Sequence, residues 1–220
     1  MNFFGHAAAA RHVDDDPAFL LGAMAPDLLP MCGAIAAEPT CAKVRAGQAH
    51  HVVADARFHG TQAFTTLTAW AARTLIEAGV SRGPARGAAH VAIELFLDGV
   101  LAEDGAACAA YRRSLAEADA AQSPFLWADD SSRGRWRALV VRLRAGTVPD
   151  DYREADFVAD RVIGVLGRRP RLALAPPEAM KLRAFLPQLK RRVSLEADAL
   201  GAGLVTAPAV SRGAVLLSGG

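Results

Sequence analysis

The chain has 220 residues, of which 52% are apolar and 22% charged, the balance of a folded globular domain and not of a disordered segment. A formal net charge of +2 is too small to argue for a nucleic-acid partner by itself. Three cysteines, Cys32, Cys41 and Cys108, form no Cys-x-x-Cys pair and leave an odd count, which reads as ordinary thiols in a reducing compartment.

Alanine, leucine and arginine dominate and alternating β-branched runs are scarce, so an all-α fold is expected. A first helix is expected from about Asn2 to His12. Asp16-Pro17 then opens a second, short helix, with aspartate as N-cap and proline at the first helical position. Pro26-Asp27 is expected to interrupt it, leaving "LLPMCGAIAAEPT" as a loop or broken helix. A third helix starts near Thr40 or Lys43 and runs to Gly60, and a fourth covers "TQAFTTLTAWAARTLIEAGV". Gly83, Pro84 and Gly87 should separate that helix from "AAHVAIELFLDGVLAED". Later helices are expected in "AACAAYRRSLAEADAA", "SRGRWRALVVRLRAG", "YREADFVADRVIGVLGRR" and "PPEAMKLRAFLPQLKRRVSLEADAL", the last kinked at Pro187. Residues 1–200 thus read as one helical domain and residues 201–220 as a flexible tail.

The opening "MNFFGHAAAARHVDDD" lacks the basic start and the cleavage site of a signal peptide. No apolar stretch approaches the roughly 20 residues needed to span a bilayer. No membrane span and a cytoplasmic location are expected.

Within this apolar sequence, His51, Asp55 and His59 recur at intervals of four. Each step advances a helix by about 6 Å and drifts by about 40°, so the three share one stripe. His51 and Asp55 are close enough to hold one ion. His59, about 12 Å from His51 along the axis, is placed to serve a second ion or the substrate. "AHVAIELFLDG" repeats the pattern with His90, Glu94 and Asp98 on a helix that is apolar nearly all round. A charge on such a helix needs a partner, because an unpaired buried charge is costly. His6, after Phe3-Phe4, and Asp27, after "LLGAMAP", have the same character. One histidine on an apolar face is ordinarily a hydrogen-bonded core residue, and a lone His-x-x-x-Asp pair is ordinarily a local ion pair. His12 and His50 are assigned to that category. Two such pairs together with His6 and Asp27 point instead to a metal site, with mixed imidazole and carboxylate ligands suited to manganese, iron or zinc.

These residues lie in motifs that resemble the acyl carrier protein phosphodiesterase family. "MNFFGH" resembles the family's Met-Asn-Phe-x-x-His opening, and "GAMAPD" (Gly22 to Asp27) its Gly-x-x-x-x-Asp segment. "HVVADARFH" is similar to its His-Arg-x-Ile-Asp-x-x-Thr-Asp motif, with His51 and Asp55 in register. Tyr152 to Leu172, "YREADFVADRVIGVLGRRPRL", resembles its Tyr-Arg-x-x-Asp-Phe stretch. The resemblance spans roughly residues 1–200. It implies a helical bundle of the HD-phosphohydrolase type that removes the phosphopantetheine arm of holo acyl carrier protein with a divalent ion, typically manganese, held by His6, Asp27, His51 and Asp55. Val52 replaces the motif's arginine, Ala54 its isoleucine, and His59 stands where a second aspartate is expected, which shifts the ligand set towards nitrogen and zinc. Glu94-Leu95-Phe96-Leu97 likewise replaces an Asp-His-Phe-Leu type segment. Loss of the arginine removes a bidentate phosphate clamp. His90-x-x-x-Glu94 with an early histidine and "APD" is also similar to zinc-dependent phospholipase C, over less of the chain.

The expected activity is metal-assisted hydrolysis of a phosphodiester with one or two ions. His6, Asp27, His51 and Asp55 are the candidates for one site, and His59, His90 and Glu94 for a second. Asp27 and His59 are the catalytic candidates, Asp27 for orienting the attacking water. Arg168, Arg169 and Arg171 are candidates for binding phosphate or an acidic carrier-protein helix, against an equal case for a solvated helix end favoured by the dipole. Lys190, Arg191 and Arg192 read as a solvated face, and Trp127, Trp136 and Tyr152 as core or rim aromatics. The alternative of a different class is a non-catalytic helical protein that binds a partner through its basic C-terminal helix.

Overall fold

The computed structural model describes residues 1–119 and 124–205. Over these the chain is all-α, with ten helices and one two-stranded ribbon. Helix α1 (Phe3–Ala10) is buried along its whole length. Eight residues are too few to hold a helix in water by propensity, so packing sustains it. Phe4, for instance, meets Tyr111 edge-on at 5.4 Å between ring centres. The residues that follow α1 form turns, so the helix ends before His12.

Helix α2 (Pro17–Cys32) opens as the sequence suggests, with Pro17 at its start and the Asp16 side chain accepting a 2.8 Å hydrogen bond from the Ala18 N–H. It does not stop at Pro26. It runs through Pro26 and Pro30 to Gly33, whose φ of 63° is left-handed and closes the helix. Each internal proline costs roughly 3 kcal/mol. Burial of Phe19, Leu20, Leu21, Met24 and Leu28, at about 1.5–3 kcal/mol per large side chain, outweighs that. Within the expected loop, Ala36–Pro39 forms strand β1. It pairs antiparallel with β2 (Phe125–Trp127), with Ala36 opposite Trp127, Pro39 opposite Phe125 and an irregularity between.

Helix α3 (Ala42–Gly60) lies against α2 at a spacing only glycine allows. A Cβ on Gly22 would fall 2.2 Å from the Val44 carbonyl oxygen, and one on Gly47 2.0 Å from that of Phe19. Helix α4 (Gln62–Glu77) follows, N-capped by Thr61. Helix α5 (Arg82–Leu101) begins earlier than expected, with Gly83, Pro84 and Gly87 inside it. Pro84 falls in the first turn, where its missing N–H has no intrahelical partner to lose. Gly87 leaves room for Leu166, whose Cδ2 would lie 2.9 Å from a Cβ there. Helix α5 is buried from Ala88 to Gly99 on most faces and packs on α1, α4, α8 and α9.

Helices α6 (Gly105–Asp119), α7 (Asp130–Ala145), α8 (Ala155–Gly167) and α9 (Pro176–Leu195) complete the bundle, α9 passing through Pro187. Trp136 and Tyr152 are core residues and Trp127 packs at its edge. Helix α10 (Ala197–Val205) continues past Gly201, so the tail expected from that point begins no earlier than 206. Residues 206–220 of that expected tail lie outside the described residues. Among the described residues, no helix is long and apolar enough to cross a membrane.

Candidate metal centre

Helix α1 packs against α2, α3 and α5, and at this junction the structure gathers His6, Asp27, His51, Asp55, His59, His90 and Glu94. Two groups have ligand atoms within 4.8 Å of one another: His6, Asp27 and His51, and His59, His90 and Glu94. Asp55 stands between them. Its Oδ1 lies 3.4 Å from His6 Nε2 and its Oδ2 3.1 Å from His59 Nδ1. The i, i+4 pairing of His51 with Asp55 expected from the helix stripe is therefore divided. His51 joins the α1–α2 group, and Asp55 links both.

The first group is short of partners. His6 is fully buried, and neither ring nitrogen makes a well-formed hydrogen bond, although Nε2 faces Asp27 Oδ2 at 3.8 Å. Asp27 Oδ2 is likewise buried without a hydrogen bond. The His6 ring stacks on His51 with centres 3.8 Å apart. His51 Nδ1 lies 2.8 Å from the Ala23 carbonyl oxygen, to which it donates. That bond leaves the Nε2 lone pair as the free ligating position. Burial pushes His6 down to about 4 and Asp27 up to about 7, and it also lowers His51. Two neutral imidazoles and a carboxyl group with no directly hydrogen-bonded cation form a donor set that fits a divalent transition ion.

The second group is compensated from within. Glu94 Oε1 receives His59 Nε2 at 2.8 Å, His90 Nε2 at 3.0 Å and the Met1 amino group at 3.1 Å. The amino group also lies 2.7 Å from Asp55 Oδ1, so an ammonium here stands where a cation would sit between two carboxylates. His59 is held at both nitrogens by Asp55 and Glu94, and these bonds raise it to about 9. Burial alone would lift Glu94 and Asp55. Hydrogen bonds from His59 to both and from His90 to Glu94, the His6 ring 3.4 Å from Asp55, and the amino group hold both carboxyls far below the usual range.

No family model matches the chain, and no curated protein or solved structure does. Function is therefore read from the site alone.

The remaining candidates fall elsewhere. Asp98, the third member of the α5 stripe, turns away from the histidines and accepts hydrogen bonds from Asn2 Nδ2 at 2.7 Å and the Gly5 N–H at 2.9 Å. It anchors the start of α1, and burial raises its carboxyl well above the usual value. Arg168, Arg169 and Arg171 are exposed at the end of α8 and in the turn after it, and none lines the cleft that includes His90. Arg192 lies 4.4 Å over the Trp70 ring and pairs with Glu196. Val52, in place of the motif's arginine, is 65% exposed on the outer side of α3. The Ala23 carbonyl and Asn2 hold the site in shape, yet neither carries a signal readable from residue type.

Proposed function

We propose that the chain is a metal-dependent phosphodiester hydrolase of the class that the acyl carrier protein phosphodiesterase family represents. The observation that supports this most is His6, fully buried with no well-formed hydrogen bond and facing Asp27 beside His51. An unsatisfied imidazole–carboxylate group is costly unless a cation completes it, whereas the His59–His90–Glu94 group needs none. On this reading one ion is held by His6, Asp27 and His51. A divalent ion there supplies Lewis acidity towards a phosphoryl oxygen and lowers the pKa of water.

The chain's own residues supply the rest. Asp27 reaches the same point as His6 Nε2 and orients the attacking water. Asp55 steadies the His6 ring from one oxygen and His59 from the other. His59, protonated at neutral pH between two carboxylates, breaks its Nε2–H hydrogen bond to Glu94 and gives that proton to the departing oxygen. Glu94 keeps it charged until then.

The test is metal analysis of the purified protein followed by hydrolysis of bis-p-nitrophenyl phosphate, and of holo acyl carrier protein, with added Mn²⁺ or Zn²⁺. One equivalent of retained metal and metal-dependent turnover are expected. His51→Ala should lose the metal. His59→Gln should keep it and lower kcat by about 10²–10⁴-fold, the usual contribution of a general acid. No stoichiometric metal and no turnover would return the chain to the class of helical binding proteins. Two equivalents would make His59 a ligand instead of an acid.

A further inference from the structure

A cleft of about 640 Å³ opens between α4 and α5, and His90 belongs to its wall. Such a volume lies within the range of small-molecule sites. Helix α5 lines it with Arg82, Arg86 and His90, spaced four residues apart, and Glu94 continues that row into the histidine group. Along the axis Arg86 is about 6 Å and Arg82 about 12 Å from His90. Helix α4 contributes Arg73 from the facing wall, together with Thr68. Phe64 lies between cleft and site, edge-on to His59 at 4.8 Å and to His90 at 5.2 Å.

Two features distinguish this cleft from an ordinary charged surface. No carboxylate lines it, and among the described residues none of its three arginines makes an ion pair. Elsewhere Arg183 meets Asp160 and Arg192 meets Glu196. In addition, Thr68 in the same wall has its Oγ1 buried with no hydrogen-bond partner, a costly state for a hydroxyl. Guanidinium groups on two walls of a concavity suit the several oxygens of a compact anion. A docking acidic helix would instead be met by arginines standing out from a convex face.

We infer that the α4–α5 cleft binds a second phosphate of the substrate, roughly 6–12 Å along α5 from His90, so that the substrate is a small phosphodiester carrying a further phosphate. The inference rests on the hydrolase reading for the word substrate, but the cleft can be tested without it.

The full chain, stripped of metal and dialysed free of chelator, is titrated calorimetrically with inorganic pyrophosphate. One-to-one binding is expected, with the His90 ring signals in the NMR spectrum shifting and those of His12 unmoved. Each arginine removed should weaken binding by about 10-fold or more, the scale of a lost hydrogen bond to a charged group. Arg73→Gln should therefore show about 10-fold loss and Arg82→Gln/Arg86→Gln about 100-fold, while Arg137→Gln on α7 binds as the parent does. All four arginines are exposed, and circular dichroism confirms that each variant is folded. Absence of binding, or equal binding by the double variant, overturns the inference even if metal and turnover are found. Tighter binding of an acidic peptide than of pyrophosphate through the same arginines overturns it in favour of a protein partner. Intact pyrophosphate binding without metal uptake would sink the hydrolase reading alone.

Discussion

Asp27 is poorly compensated in the folded chain, and on the proposed reading it is one of the groups a cation would use. Its Oδ2 is buried without a hydrogen bond, and its carboxyl is pushed up to about 7. Asp27→Asn keeps the shape and removes the charge. At pH 8 the metal-free variant is expected to melt a few degrees higher than the parent, since about 1 kcal/mol moves Tm by roughly 2–4 °C in a chain of this size. The same variant should take up metal at least ~10-fold more weakly. A variant that is no more stable and binds metal as well as the parent would remove Asp27 from the site. The residues in question were legible in the sequence: His6, Asp27, His51, Asp55, His59, His90 and Glu94 all reach the junction. What spacing could not show was their grouping. Periodicity places side chains on one helix, whereas His51 finds its partners on α1 and α2 and leaves Asp55 to bridge.

Between elements, the crossing of α2 and α3 sets the site. Gly22 and Gly47 let the backbones touch, bringing the Ala23 carbonyl to His51. A methyl group at either position meets backbone, which cannot step aside as a flexible side chain would. Gly47→Ala is expected to cost about 1–3 kcal/mol, the usual range for overpacking, and to weaken metal uptake as well. Denaturant unfolding with a metal titration checks both, and an unchanged midpoint would show that the helices can part freely. Here sequence reading was least reliable. Pro26 is a strong breaker locally, and only the apolar packing on either side carries α2 through it. Gly83, Pro84 and Gly87 look like punctuation, yet they form the first turns of α5, because a first-turn proline loses nothing and Gly87 makes room for Leu166. The early start is also what brings Arg82 and Arg86 into line with His90. The ribbon of β1 and β2 is too short and too mixed in composition to leave a period-two pattern.

For the molecule as a whole, the buried groups couple folding to pH. Asp27 and His59 both have raised pKa values in the folded chain, so their stabilising contribution is greatest when protonated. That from Asp27 is full below about 4 and declines as pH rises through 7, and that from His59 is full below about 6.5 and is lost through 9. His6, lowered to about 4, acts oppositely and removes stability as pH falls from 6.5 towards 4. Metal-free protein should accordingly lose Tm between pH 6.5 and 9, and a saturating divalent ion should flatten that decline. A rise in Tm over the same interval would contradict the assignment of charges. The all-α class was plain from composition, because alanine-rich amphipathic segments dominate the chain. The order in which helices surround α1 was not, because apart from His6 α1 is apolar and its sequence names no neighbour.

The glycine contact between α2 and α3 also works as a calliper. Asp27 projects from one helix and His51 from the other, so on the proposed reading the width of that crossing would govern the radius of the ion the two could share. Evolution or engineering could retune ion preference by widening this joint, without exchanging a single coordinating residue.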